Sequence, residues 1–253
     1  MNDMFGVEGM EILVTGGTRG IGRAISLQLA RAGARVVANY ARNDAAAENL
    51  RNLAAQEGLR LEALRADLTL PKGLAAVMER MRASTEVPPS LVHCAGTGVH
   101  RPFGELTSRH WDWTMALNVR AFFELVTQML PLFGDGSAVV AVSSAGAVRA
   151  VPAYAAVGAS KGALEALSRH LAVELAPRGV RVNILSPGSV ETEAWAAFPD
   201  KDERLAEAVR RTPLHRTVSL EEVARATQFL CSRASSGIIG QTLVVDGGVR
   251  IVD

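Results

Sequence analysis

The sequence predicts an α/β fold: a doubly wound, parallel seven-stranded sheet with helices on both faces. Three observations predict it. Short β-branched or aliphatic runs alternate with longer Ala/Leu-rich stretches, a glycine loop joins the first run to the first stretch, and no repeat, linker or shift in composition divides the 253 residues. The composition, 48% hydrophobic and 21% charged, is that of an ordinary globular chain. A chain of this length buries roughly three quarters of its unfolded surface, so neither a disulfide framework nor a metal staple is needed. Lys and Arg (27) nearly balance Asp and Glu (26) and are interspersed with them, which argues against nucleic acid as a partner. No apolar run approaches the ~18 residues of a membrane span, and the N-terminus shows no cleavable leader, so a cytoplasmic protein is expected.

Taken in order, the strands are expected at Glu11–Thr15, Arg35–Tyr40, Leu59–Ala66, Ser90–Cys94, Ala138–Ser143, Val180–Ser186 and Thr242–Asp246. Helices are expected at Ile21–Ala32, Asp44–Glu57, Pro71–Met81, Ser108–Leu130, Ala155–Ala176, Asp202–Arg211 and Leu220–Ser232. Strand then helix, repeated, makes right-handed βαβ units and one domain over residues 1–253. The irregular stretch Pro187 to Pro213 falls above the carboxyl edge of such a sheet, where a substrate flap would sit. Cys94 and Cys231, far apart in apolar stretches, read as small core residues, and Trp111 and Trp113 as helix-packing residues. The five histidines show no metal-ligand spacing and are given no catalytic role.

The loop Thr15-Gly16-Gly17-Thr18-Arg19-Gly20-Ile21-Gly22 leads from a strand into a helix. Glycines at 16, 20 and 22 permit a tight turn, close approach of backbone N–H groups to a pyrophosphate, and close helix-on-strand packing, with the helix N-terminus favouring the anion. The second strand ends in Ala38-Asn39-Tyr40-Ala41-Arg42, without the carboxylate that would bond an adenosine 2′-hydroxyl. Arg42 and Arg19 instead match a 2′-phosphate, which favours NADPH. Asp67-Leu68 reads either as an adenine contact or, for Asp67, as a helix cap.

With Cys94-Ala95-Gly96, Asn118, Ser143-Ser144, Ala159-Ser160-Lys161, Pro187-Gly188 with Thr192, and Asp246-Gly247-Gly248, the chain resembles the short-chain dehydrogenase/reductase family over essentially its whole length. The resemblance implies a Rossmann fold, a homotetramer or dimer, and a catalytic Tyr-x-x-x-Lys. Here the position four before Lys161 is Val157, which has no proton to give, and the nearest tyrosine is Tyr154, in a Tyr-x(6)-Lys spacing. On a continuous helix, spacings of four and seven both keep the phenol on the lysine's face, but axial separations of about 6 and 10 Å put it a turn further away.

That displacement has a chemical reading. When an enoyl thioester is reduced, hydride goes to the β-carbon and charge appears on a carbonyl oxygen two carbons further on, so the donor must stand further from the hydride source. Tyr-x(6)-Lys resembles the NADPH-dependent enoyl-acyl-carrier-protein reductases of the FabL type, with an acyl-carrier-protein or CoA thioester as substrate. On that resemblance Tyr154 would stabilise the enolate, and Lys161 would hold the nicotinamide ribose and lower the tyrosine's pKa. Ser144 would orient substrate or phenol, Asn118 would match the family's relay asparagine, and Val190 and Thr192 would contact the nicotinamide. Gly16, Thr18, Arg19, Gly20, Ile21, Gly22, Arg42, Asp67, Leu68, Ala95, Gly96, Lys161, Pro187 and Gly188 would line the dinucleotide. Two other functions remain open: a 3-oxoacyl or carbonyl reductase using the displaced tyrosine or Ser144, and an NADP(H)-binding protein without catalysis, in which Tyr154 is a loop aromatic packing the helix start. A hydrolase centred on Ser144 has no histidine placed as its base. Arg101, Arg109, Arg120 and Arg149 would suit an acidic carrier protein, as they would plain solvation.

Overall fold

A computed structural model describes residues 5–83, 87–191 and 201–252. Its sheet has seven parallel strands: β1 (Glu11–Thr15), β2 (Arg35–Tyr40), β3 (Leu61–Arg65), β4 (Ser90–His93), β5 (Ala138–Val142), β6 (Arg181–Pro187) and β7 (Thr242–Val245), in the order β3-β2-β1-β4-β5-β6-β7. The order reverses at β1, so the crevice beyond the carboxyl ends of β1 and β4 is the natural ligand position.

Period-2 alternation sends neighbouring side chains to opposite faces. Leu13, Leu91, Val139 and Val182 pack under α3 (Pro71–Arg82), α5 (Ala121–Met129) and α6 (Ala155–Leu175). Ile12, Val14, Val92 and Val140 pack under α1 (Gly20–Arg31) and α8 (Leu220–Cys231), while α2 (Asp44–Gln56) closes a smaller cluster through Leu50. Each fully covered Leu, Ile or Val contributes about 1.5–3 kcal/mol relative to exposure, which is why the central strands read as unbroken apolar runs.

The long helix expected over Ser108–Leu130 is interrupted. α4 (Ser108–Met115) runs into a π turn, Ala116–Arg120, before α5 begins. One extra residue per turn rotates the helix faces and places Asn118, fully buried, beneath the sheet's carboxyl edge. Trp111 and Trp113 were expected to pack inside but are 46% and 41% exposed, because α4 turns Thr114 inward instead. Cys231 is buried as expected, whereas Cys94 is only half-buried, at the site described next. The helix expected at Asp202–Arg211 is present as α7 (Lys201–Arg211); residues 192–200, within the stretch expected to form a flap, lie outside the described residues. Among the described residues no helix is long and apolar enough to cross a membrane, and no group of three or more His, Cys, Asp or Glu could hold a metal ion.

Candidate active site

The glycine loop is a cradle that side chains would fill. Gly16 (φ +64°) passes so close to β4's end that a Cβ would lie 2.9 Å from Ala95 Cα, and one on Gly22 would lie 2.1 Å from the Gly16 carbonyl oxygen. The N-cap of α1, Arg19, makes no side-chain hydrogen bond to the helix, so its leading N–H groups face the crevice with a partial positive charge. Thr18 is buried and Ile21 packs on the core. The cradle therefore fits the pyrophosphate of a dinucleotide.

Further along the crevice, Arg42 lies near enough to Asp67 to help hold its carboxyl below the ordinary value, although the Thr69 hydroxyl hydrogen bond is the larger cause. Asp67 does not cap α3: the N-cap is Leu70, and Asp67 Oδ1 accepts from the Thr69 amide at 3.0 Å and its hydroxyl at 2.6 Å. Leu68 is buried in the core, so only its backbone is available to a ligand. Pro187 ends β6, and the Gly188 amide donates to the Val245 carbonyl. The Val190 side chain is buried in the core and its backbone bridges Val218, so a contact to the nicotinamide would come from that backbone. Thr192 lies outside the described residues.

The β4 end ties both halves of the crevice together. Thr15 Oγ1 accepts from the Ala95 amide at 3.0 Å and pairs with His93 Nδ1 at 3.0 Å. The Thr15 hydroxyl, with one proton and two lone pairs, can serve the Ala95 amide and the imidazole together. The ring also feels the Leu117 and Asn118 backbone in the π turn, and its Nε2 forms no hydrogen bond of normal geometry. Burial pushes this imidazole down to about 3, so it is neutral in the fold. Asn118 clamps the next loop: its Oδ1 accepts from the Thr97 amide at 2.8 Å, and its Nδ2 donates to the Thr97 carbonyl and to Ser160 Oγ at 2.9 Å each.

Lys161, on the buried face of α6, donates from Nζ to the Val142 carbonyl at 2.8 Å. Burial lowers it to about 8, with Cys94 and Glu165 pulling the other way. A Cβ on Gly96 would lie 3.6 Å from Nζ and 3.7 Å from Asn118 Oδ1, so the Gly96 backbone passes within van der Waals reach of the ammonium. Val157, at the position four before Lys161, is buried, with its Cγ2 so close to Gly98 that a Cβ there would lie 2.0 Å away.

Tyr154 is not on the helix, which begins at Ala155; it is the N-cap of α6, with φ −122°. The preceding Ala153 has φ +61°, a left-handed conformation that costs an alanine of order 1 kcal/mol or more and that turns the chain before the helix starts. The helical extrapolation from Lys161 back to Tyr154 therefore fails at its last step. The ring instead lies over Gly146, where a Cβ would be 2.5 Å from Cε1, and beside the His100 ring, with centroids 5.2 Å apart. Its hydroxyl donates to Ser144 Oγ at 3.4 Å. Burial raises the phenol, with the Ser144 hydrogen bond opposing, so burial rather than the expected lowering by Lys161 governs it. Nothing in sequence spacing singled out His100, Gly146 or Gly98; each matters through what it meets in space. Arg149 is tied to the Val249 and Arg250 carbonyls of the C-terminal segment, which accounts for it without a partner protein.

Comparison with known proteins places the chain in a family. The family model described as enoyl-(acyl carrier protein) reductase matches residues 16–250. The chain belongs to the short-chain dehydrogenase/reductase family. It is 34% identical to 1-cyclohexenylcarbonyl-CoA reductase of Streptomyces collinus, over 95% of this chain and 86% of that one. It is equally, 34%, identical to gluconate 5-dehydrogenase of Gluconobacter oxydans, over 98% of both. Among solved structures, a short-chain dehydrogenase of Burkholderia cenocepacia in complex with NADP superposes with a TM-score of 0.89 at 30% identity, covering 96% of this chain and 99% of that one. As a member of this family the chain is an oxidoreductase with an NAD(P)-binding fold.

Proposed function

We propose that the chain is an NADPH-dependent enoyl-thioester reductase, saturating the trans-2,3 double bond of an acyl-carrier-protein or CoA thioester. The observation that carries this reading is the exchange of side chains at the site. The position four before Lys161 is an apolar wall of Val157 on Gly98, and the one tyrosine beside it, Tyr154, is displaced to the helix N-cap with its hydroxyl at Ser144. The family model's description and the CoA-thioester reductase of Streptomyces collinus support it. Arg42 and Arg19 beside the cradle, and the NADP complex of the Burkholderia relative, support the phosphorylated dinucleotide.

When bound, the dinucleotide supplies a hydride to the substrate's β-carbon. The protein's share is positional and electrostatic. Lys161, beside Gly96, would hold the ribose hydroxyls, with Asn118 fixing the neighbouring loop. Burial keeps the Tyr154 phenol protonated near neutral pH, so its O–H can donate to the thioester oxygen as negative charge develops there. Ser144, now accepting from that hydroxyl, would hold it in line until substrate arrives. Val157 offers no proton at the place where a ketone oxygen would need one.

The gluconate dehydrogenase relative favours a second reading, a carbonyl reductase drawing its proton from Tyr154 or Ser144. One assay separates the two: NADPH oxidation with crotonyl and with acetoacetyl thioesters side by side. Turnover of crotonyl thioester with little of acetoacetyl is the expected result; the reverse would overturn the proposal.

A further inference from the structure

Lys161 and Glu165 stand one turn apart on the buried face of α6, and both are fastened to the end of β5. Lys161 Nζ donates to the Val142 carbonyl at 2.8 Å, and the hydroxyl of the next residue, Ser143, donates to Glu165 Oε1 at 2.6 Å. The two side chains are nearly sealed, with relative exposures of 8% and 4% for their residues. We propose that Glu165 is a positioning residue that acts by charge, holding Lys161 as an ammonium ion at the place where the dinucleotide's ribose would lie. This rests on the NADPH reading above and deepens it.

The other titratable groups around the pair do not do this. His93, from β4, is neutral near pH 7 and above, since burial pushes it down to about 3. Cys94, also at the end of β4, is pushed up to about 11 by burial and carries no charge when the lysine titrates. Arg169, one turn further along α6, reaches Glu165 Oε2 at 3.9 Å and competes with Lys161 for its charge. Arg250, from the C-terminal segment, also feels Glu165, and is itself held by Asp246 at 3.6 Å and opposed by Arg149. Among the described residues, Glu165 is thus the anion acting on Lys161 near neutral pH. An ammonium ion this deeply buried loses its charge readily unless an opposite charge is fixed nearby.

Glu165→Gln keeps the shape and can still accept from Ser143, but removes the charge. The readout is the side-chain NMR titration of Lys161 in the unliganded protein, whose lysines are Lys72, Lys161 and Lys201. The Lys161 midpoint is expected to fall by about one pH unit or more in Glu165→Gln. NADPH affinity, followed by nucleotide fluorescence, should weaken several-fold at pH 8.5 and change little at pH 6. Arg169→Gln, at an exposed side chain that endangers folding least, should move the midpoint the opposite way by a few tenths of a unit and decides the matter if Glu165→Gln does not fold. A Lys161 midpoint unchanged in these variants overturns the proposal. Because that titration is read without nucleotide or thioester, it stands or falls independently of the substrate assay.

Discussion

Replacing Lys161 by Met should change how stability varies with pH. The lysine titrates at 10.5 in the unfolded chain and at about 8 in the fold, where burial disfavours its charged form. Between those two values the unfolded chain binds more protons than the folded one, so stability climbs with pH across that window. Below about pH 8 the full cost of burying the ammonium is present, roughly 3 kcal/mol at 1.36 kcal/mol per pKa unit, and above pH 10.5 it has gone. Between pH 7 and pH 10 the wild-type protein regains about 2.5 kcal/mol that a methionine variant, with a side chain of similar volume and no charge, never lost. Loss of the hydrogen bond to the Val142 carbonyl lowers the variant's stability by a similar amount at every pH and drops out of the slope. For a chain of this size, melting curves at pH 7, 8, 9 and 10 should show the variant losing about 5–10 °C relative to wild type across the series. Groups shared by both proteins cancel in that difference. Parallel pH dependence in the two proteins would refute a burial-lowered Lys161.

Three further outcomes follow from the same geometry. Gly146→Ala puts a methyl group against the Tyr154 ring, so kcat with an enoyl thioester should fall about tenfold or more while NADPH affinity, measured by fluorescence titration, holds; a fall in affinity with kcat intact would contradict the placement of the ring. Arg42→Ala should weaken NADPH binding about 10- to 100-fold, the scale of one charge-assisted hydrogen bond, and leave NADH binding nearly unchanged; equal weakening of both would remove Arg42 from the 2′-phosphate. In a pH profile of kcat/KM, activity should decline above about pH 8 as Lys161 loses its proton in the free enzyme, and a flat profile to pH 10 would contradict that.

Most of the sheet is legible in the sequence because its central strands are buried on both faces and short: EILVT, SLVH and AVVAV have no other plausible packing. The edge strand β3 is less so. Its expected span, Leu59–Ala66, shrinks to Leu61–Arg65, where Glu62 and Arg65 face solvent. The π turn was not legible, since ALNVR carries no mark that separates it from an α-helical turn. The glycine cradle could be named because its geometry follows from consecutive residues, Gly16 to Gly22. The setting of Tyr154 could not: it depends on a left-handed alanine, on Gly146 across a loop, and on His100 from the loop after β4, three features that meet only in the folded chain.

Tyr154→Phe tests the central claim most directly. With the ring kept against Gly146 and only the hydroxyl removed, NADPH affinity should stay within about twofold while kcat for crotonyl thioester falls about 100-fold or more, the scale of losing one positioned oxyanion donor. A variant that reduces crotonyl thioester at the wild-type rate would contradict the account.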